Sequence, residues 1–513
     1  MPTHNSPPAP DVPRSSEPTA APHALRASEP TAAPDVLRAS GPTAAPDAVR
    51  ASGPTAASDV PRASDAAGTS ARVELFADSA DRIADGRVGS APVSVAARLT
   101  RLLERLLQAP VPIRLRAWDG SEAGPLDTPV LLIRHRRAIR RLMYQPNELG
   151  LARAYVAGEI DVDGDLYDAL DRLAALVWRS PEIRGLPIRA VAADLLRLGV
   201  VGTQPKPPAE ELVVSGARHS KRRDRQAVSQ HYDVGNDFYR IVLGPSMVYS
   251  CAYWTGAGAG DDLADAQHDK LDLICRKLDL RPGMRLLDVG CGWGSLARHA
   301  AREYGVHVLG ITLSAEQADY VRKQVAEAGL TEQVDIRIED YRDLDDGPFD
   351  AIASIGMAEH VGTGPYGDYA AILFRQLKPG GRLLNHQISA IHPEPKSKDR
   401  TFIDAYVFPD GELVPLGTTV TLLEGAGFEV RDVQALREHY GRTLRAWVSN
   451  LEAQWPQAVR LTSPGRARVW RLYMAASALA FEQARIGVNQ VLCVKDRRDG
   501  SSDMPPTRAP WLP

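Results

Sequence analysis

The stretch Leu286-Leu287-Asp288-Val289-Gly290-Cys291-Gly292-Trp293-Gly294-Ser295 sets an apolar run, an acid and three glycines side by side. Absent side chains let a ligand approach the backbone, and the helical stretch that follows offers free N–H groups at its start. This arrangement suits a nucleotide-like molecule bound at the carboxyl end of a strand in a parallel sheet. Asp288, Gly290, Gly292 and Gly294 are the residues expected to touch it.

The third glycine comes one residue too early for the dinucleotide pattern G-x-G-x-x-G. A dinucleotide enzyme also tends to place an acid about 20 residues on, for the ribose hydroxyls. Here Gly310-Ile311-Thr312-Leu313-Ser314 stands in that region, without an acid. The loop fits better the way methyltransferases hold S-adenosylmethionine. The next apolar stretch ends in Glu339-Asp340-Tyr341, which suits the adenine amino group, although Asp340 could equally serve as a helix cap.

These residues need a scaffold. From Arg285 onward strand and helix patterns alternate, which predicts an α/β, Rossmann-like fold with a doubly wound, mostly parallel sheet. Strands are expected at 285–289, 306–312, 334–339, 349–355 and 382–389, and near 428–436 and 488–495. Ser314-Ala315-Glu316-Gln317 reads as a capping box that opens a helix, and Gly329 closes it. Leu377-Lys378-Pro379-Gly380-Gly381 reads as a break before the fifth strand. The methyltransferase domain is assigned to 226–498, with 499–513 as a tail.

Upstream, residues 91–108 carry apolar side chains at helical spacing, including Ala96, Leu99, Leu102, Leu103 and Leu106. Strand-like pieces follow at 112–118 and 128–134, and 158–164 reads as a turn. Together, 73–200 is expected to form a small mixed α/β domain. Residues 201–225 read as a linker ending in Arg218-His219-Ser220-Lys221-Arg222-Arg223-Asp224-Arg225. Such a run is either simply solvated or a patch for anionic phospholipid headgroups, at ~1 kcal/mol per basic residue. Residues 1–72 are rich in Ala, Pro, Ser and Thr, and a twelve-residue unit recurs at 28–39, 40–51 and 52–63. So few bulky apolar groups cannot offset backbone ordering, so this segment is expected to be disordered.

Composition sets bounds. The chain has 513 residues, a hydrophobic content of 44% and a net charge of -3, so a large core is available and no global field attracts nucleic acid. No apolar run approaches the ~20 residues of a spanning helix, and the N-terminus lacks a secretory pattern. The expectation is a cytoplasmic protein. Cys251, Cys275, Cys291 and Cys493 are scattered without C-x-x-C spacing, so neither a disulfide framework nor a zinc site is indicated, and no metal site is expected.

With these motifs in view, the chain resembles the cyclopropane-fatty-acyl-phospholipid synthase family. The resemblance rests on His231-Tyr232-Asp233, Tyr249-Ser250-Cys251-Ala252-Tyr253-Trp254, the glycine loop and Thr312-Leu313-Ser314-Ala315-Glu316-Gln317. It continues with Gly356-Met357-Ala358-Glu359-His360-Val361-Gly362, His386-Gln387-Ile388, Tyr406-Val407-Phe408-Pro409-Asp410-Gly411 and His439-Tyr440-Gly441-Arg442-Thr443-Leu444. These motifs follow in order between about 226 and 495, and the small domain resembles that of the longer bacterial members. The repeat segment has no counterpart. Family members often carry a cysteine in a C-terminal helix where this chain has Ser477, so no covalent role belongs there.

The resemblance implies methyl transfer from S-adenosylmethionine to a cis double bond of a phospholipid acyl chain. The resulting carbocation loses a proton from the transferred methyl to a bound bicarbonate, and a cyclopropane ring closes. It implies that Cys251, Glu359, His386, Ile388 and Tyr440 hold that ion, with Cys251 and Ile388 using backbone groups. Tyr249, Ser250, Thr312, Leu313, Gln317 and Tyr341 join the expected cofactor site. Tyr232, Tyr249, Tyr253 and Trp254 are candidates to face the cation, or else plain core residues. Proton loss from a neighbouring carbon would instead give a methylene or methyl-branched chain, and water capture a hydroxylated one. A natural-product methyltransferase and a non-catalytic binding protein are the competing classes. The expected partner is unsaturated phospholipid, met by peripheral contact at the inner face of the membrane, with a homodimer as a further possibility.

Overall fold

The computed structural model describes residues 93–178, 188–232, 234–256, 262–391 and 400–512. The repeat segment, the start of the small domain and Asp233 lie outside the described residues. The described residues belong to one compact unit.

The N-terminal part is built on a four-stranded sheet of β1 (Arg114–Arg116), β2 (Glu122–Ala123), β3 (Val130–Ile133) and β4 (Ile160–Asp163), in the order β2-β1-β3-β4. The helix Val95–Leu107 starts where Ser94 accepts the Ala97 N–H, and it buries Ala96, Leu99 and Leu102 at helical spacing. Its core joins Leu99, Ile113, Leu115, Ile133 and Tyr155. Here the expectation for 158–164 is corrected. Ile160–Asp163 is a strand, paired antiparallel with β3, and the glycines that flank it, Gly158 and Gly164, take positive φ.

The second sheet has seven strands: β5 (Arg285–Val289), β6 (His307–Thr312), β7 (Val334–Ile338), β8 (Phe349–Ile355), β9 (Leu377–Ala390), β10 (Glu429–Ala435) and β11 (Ile486–Val494). Their order is β10-β11-β9-β8-β5-β6-β7, with β11 antiparallel to both neighbours and the other pairings parallel. The sheet is therefore mostly parallel and Rossmann-like, as expected. Strands β5 and β8 are adjacent yet lead to helices in opposite directions along the sheet, so a crevice opens at their carboxyl ends.

Three further expectations change. The expected break at 377–381 lies within β9, as a register shift against β8 between Phe349 and Ala351. The linker ends early, because Lys221–Tyr232 is a helix. Its basic run is largely tied down: Lys221 pairs with Asp343, and Arg218 and Arg223 both pair with Asp410. The C-terminal stretch is no free tail, since Arg508 bonds Asp432, the Leu512 carbonyl accepts from Arg276, and Trp511 is buried.

Candidate functional site

The glycine loop turns from β5 into the helix Ser295–Tyr304, and each glycine has its own reason. All three adopt positive φ, at +79° for Gly290, +54° for Gly292 and +71° for Gly294. A Cβ on Gly290 would meet Met357 at 3.0 Å and one on Gly294 would meet Val321 at 2.3 Å, whereas Gly292 has nothing within 4 Å. Gly292 thus leaves its backbone open to the cleft. Gly294 serves helix packing and does not line the cleft, which corrects its expected cofactor role.

A cleft opens beside this loop. Gly290, Gly292, Thr312, Leu313, Gln317 and Tyr341 line it from the sheet side, and Tyr232 from the Lys221–Tyr232 helix. Ser314 caps the helix Ala315–Glu327 through the Gln317 N–H, but the Gln317 side chain accepts from Thr312 at 2.9 Å. Only half of the expected capping box forms. Asp340 also lines the cleft, with its carboxylate held by Arg342 at 2.7 and 2.8 Å and by the Arg342 N–H. Burial raises its pKa, but Arg342 outweighs that and leaves it below its ordinary value. Asp340 is therefore the cap of a short 3-10 turn as well as a cleft residue.

A second cavity shares Tyr232, Gly290, Gly292, Gln317 and Gly356 with this cleft. It is lined by Tyr249, Ser250 and Asp288, and by Lys270, which sequence reasoning missed. Lys270 donates to the Ser250 hydroxyl at 2.9 Å. Burial pushes its pKa down to about 8, against the pull of Cys251 and Asp288. Burial likewise pushes Asp288 up to about 7 despite the Lys270 charge, and Asp288 Oδ2 has no partner among the described residues. The available signal was position: Lys270 occupies the buried face of the helix Leu263–Lys277 with Ala266, Leu271 and Ile274.

The other expected set gathers where β8 ends and β9 runs on. Beyond Gly356, whose N–H bonds the His386 carbonyl, β9 loses its parallel neighbour. Glu359 takes that place and accepts the Ile388 N–H at 2.7 Å. The Ile388 N–H is therefore engaged by Glu359. Burial drives Glu359 up to about 7, partly offset by this bond. Glu359 Oε2 and His386 Nε2 are buried without partners among the described residues. His386 Nδ1 sits 3.3 Å from Gln490 Nε2, and burial holds the ring at about 3, so it is neutral. Tyr440, on the helix Arg437–Ala453, lies within electrostatic reach of Glu359, Cys251 and Tyr232, and burial keeps its hydroxyl protonated. The Cys251 thiol bonds the carbonyls of Ala252 and Leu436, and burial raises its pKa, so it is no nucleophile.

An aromatic wall adjoins these groups. Tyr232 and Tyr249 meet edge to face at 6.4 Å, each also packs against Trp293, and the Tyr249 hydroxyl bonds Tyr473 at 3.3 Å. Tyr253 stacks on His439, and Trp254 lies beneath Arg442 and bonds Thr443. Neither lines the cleft, so their role is packing. Trp293 and Tyr473 were not singled out from the sequence.

A profile of the family described as mycolic acid cyclopropane synthetase matches residues 219–491. A probable fatty acid methyltransferase of Mycobacterium tuberculosis is 42% identical over 410 residues, covering 78% of this chain and 95% of that protein. The cyclopropane-fatty-acyl-phospholipid synthase of Escherichia coli K12 is 38% identical over 315 residues, covering 60% of this chain and 79% of its own length. Among solved structures, a mycolic acid cyclopropane synthase complexed with SAH and CTAB aligns at a TM-score of 0.50 and 35% identity, over 53% of this chain and 98% of that one.

Proposed function

Since the chain belongs to the mycolic acid cyclopropane synthetase family and is an S-adenosylmethionine-dependent methyltransferase, we propose that it methylates the cis double bond of an unsaturated phospholipid acyl chain and closes a cyclopropane ring. The observation that supports the ring-closing part is that Glu359, within electrostatic reach of Tyr440, and His386 on β9 each keep a buried, unpartnered side-chain atom. Orphaned buried polar atoms cost about 1–3 kcal/mol each, so their retention points to a ligand.

The residues present fit both small molecules. S-adenosylmethionine, when bound, supplies an electrophilic methyl; Gly292 would admit it to the backbone, and Asp288 and Lys270 match the ammonium and carboxylate of its amino-acid end. A bicarbonate ion supplies a base, and Glu359, His386 and Tyr440 would hold it: two groups able to donate and one carboxylate to accept its O–H. Tyr232 and Tyr249 turn ring faces and edges into a water-poor wall, where a cation on the acyl chain gains from aromatic quadrupoles. The buried Tyr440 and Tyr473 hydroxyls stay protonated and so add no competing negative charge. Because the substrate sits in a bilayer, the enzyme works as a peripheral protein, on the cytoplasmic face.

A second product is favoured by one observation: the 42% identical relative is named a fatty acid methyltransferase, without reference to a ring. Proton loss from a neighbouring chain carbon would give such a branched chain. Incubation of the protein with methyl-labelled S-adenosylmethionine and vesicles of unsaturated or saturated phospholipid tests the reading. Label in the unsaturated lipid alone supports it, and label in neither removes it.

A further inference from the structure

We propose that the arginine-rich helix Arg137–Tyr144 and the irregular arm 199–206 together form the surface by which this protein docks on an anionic phospholipid bilayer, an inference that rests on the lipid substrate proposed above. The sequence places five arginines between 134 and 141 and no acid between 134 and 147. In the fold, Glu159 pairs with Arg137 and Arg141, and Asp161 pairs with Arg134 and also with Arg468. Four guanidiniums, Arg134, Arg137, Arg141 and Arg468, thus share two carboxylates. Among the described residues Arg136 and Arg140 meet no carboxylate. Arg136 lies over the Trp118 ring, and Arg140 donates to the carbonyls of Val200 and Val201.

The arm is stitched to the helix by side chains that fix its position. Tyr144 donates to the Gly202 carbonyl at 2.9 Å, and Arg141 to the Lys206 carbonyl at 2.7 Å. This brings the exposed Lys206 beside the arginines, on a stretch with no acid between Asp194 and Glu210. Large apolar side chains on these two segments, and Leu196 on the helix Ile188–Leu198 that leads into the arm, remain in water: Leu196 is 67% exposed, Val201 54%, Tyr144 50% and Met143 40%. Uncompensated positive charge interleaved with exposed apolar and aromatic groups is the pattern of an interfacial contact, where side chains enter the headgroup region and cations meet lipid phosphates. The basic run at 218–225 has less to offer, because Arg218, Lys221 and Arg223 already hold acids of the catalytic domain.

The test uses the full chain and two double variants, Arg136→Gln with Lys206→Gln and Leu196→Ser with Val201→Ser. Cosedimentation with vesicles of phosphatidylglycerol and phosphatidylethanolamine should weaken roughly fivefold per charge removed in the first. The second should lose the part of binding that survives high salt. Arg136→Lys should bind as the parent does, and Lys221→Gln should bind vesicles normally. Undiminished vesicle binding by both double variants, with unchanged thermal midpoints, would overturn the proposal. So would a shift in oligomeric state in their place, or tighter binding of the parent to duplex DNA than to vesicles. Turnover on detergent-dispersed unsaturated phospholipid separates the two layers: unchanged turnover in the variants fits a docking role, while an inactive parent would count against the lipid substrate itself.

Discussion

Glu359 accepts the Ile388 N–H with one carboxylate oxygen at 2.7 Å and leaves the other buried without a partner among the described residues. The bond fixes the carboxylate at the point where β9 outruns β8, and the second oxygen is what a ligand would find. Gln keeps the acceptor and removes the charge. Glu359→Gln should therefore leave cofactor affinity near normal and slow turnover about a hundredfold or more, the scale of a positioned acid–base group. Calorimetric titration with S-adenosylmethionine and initial rates on vesicles check the two halves separately.

The same carboxyl ties activity and stability to pH in opposite senses. Its pKa rises from 4.5 to about 7 on folding because burial disfavours the charge. Between those values the unfolded chain has released the proton and the folded chain has not, so stability from this site falls as pH rises through that window. Turnover should rise through about pH 7 as the carboxylate forms. Glu359→Gln, which cannot titrate, should match the parent in stability near pH 4.5 and exceed it by about 3 kcal/mol above pH 7, read by denaturant unfolding.

Lys270 and Asp288 share one buried environment, and removing either strands the other. Lys270→Met should cost about 3 kcal/mol of stability and weaken S-adenosylmethionine binding at least tenfold. In the parent, affinity should decline as pH rises through about 8, where Lys270 loses its proton. A flat binding profile from pH 7 to 9 would show that its charge does not meet the cofactor.

The glycines separate packing from access. Gly294→Ala drives a Cβ to 2.3 Å from Val321 at φ +71° and should destabilise the fold by about 2–4 kcal/mol. At Gly292 an added Cβ meets no protein atom within 4 Å, so Gly292→Ala should cost only about 1–2 kcal/mol for its left-handed φ, yet weaken cofactor binding strongly. Thermal midpoints and cofactor titration on both variants distinguish these outcomes.

Much of this was legible in the sequence, for identifiable reasons. Strands β5 and β8 stand at 285–289 and 349–355 as expected, because central parallel strands are continuous apolar runs and the glycine loop marks where one ends. Strand β4 was misread because Gly158 and Gly164 dominate a stretch whose strand is only four residues long. The Lys221–Tyr232 helix was hidden because its partners Asp343 and Asp410 lie far away in sequence. Lys270 was passed over because lysine in a helix ordinarily reads as surface, and only the fold reveals Asp288 and Ser250 around it. The bond from Ile388 to Glu359 depends on where β8 stops relative to β9, which no local pattern records.

The most direct test is mass spectrometry of total fatty acids from a host rich in cis-unsaturated phospholipid, with and without this protein. A gain of one CH2 unit with loss of the double bond is the result predicted here, and Glu359→Gln should suppress it. The same mass gain with the alkene retained would contradict ring closure in favour of a branched chain, and an unchanged fatty acid profile would contradict the lipid substrate.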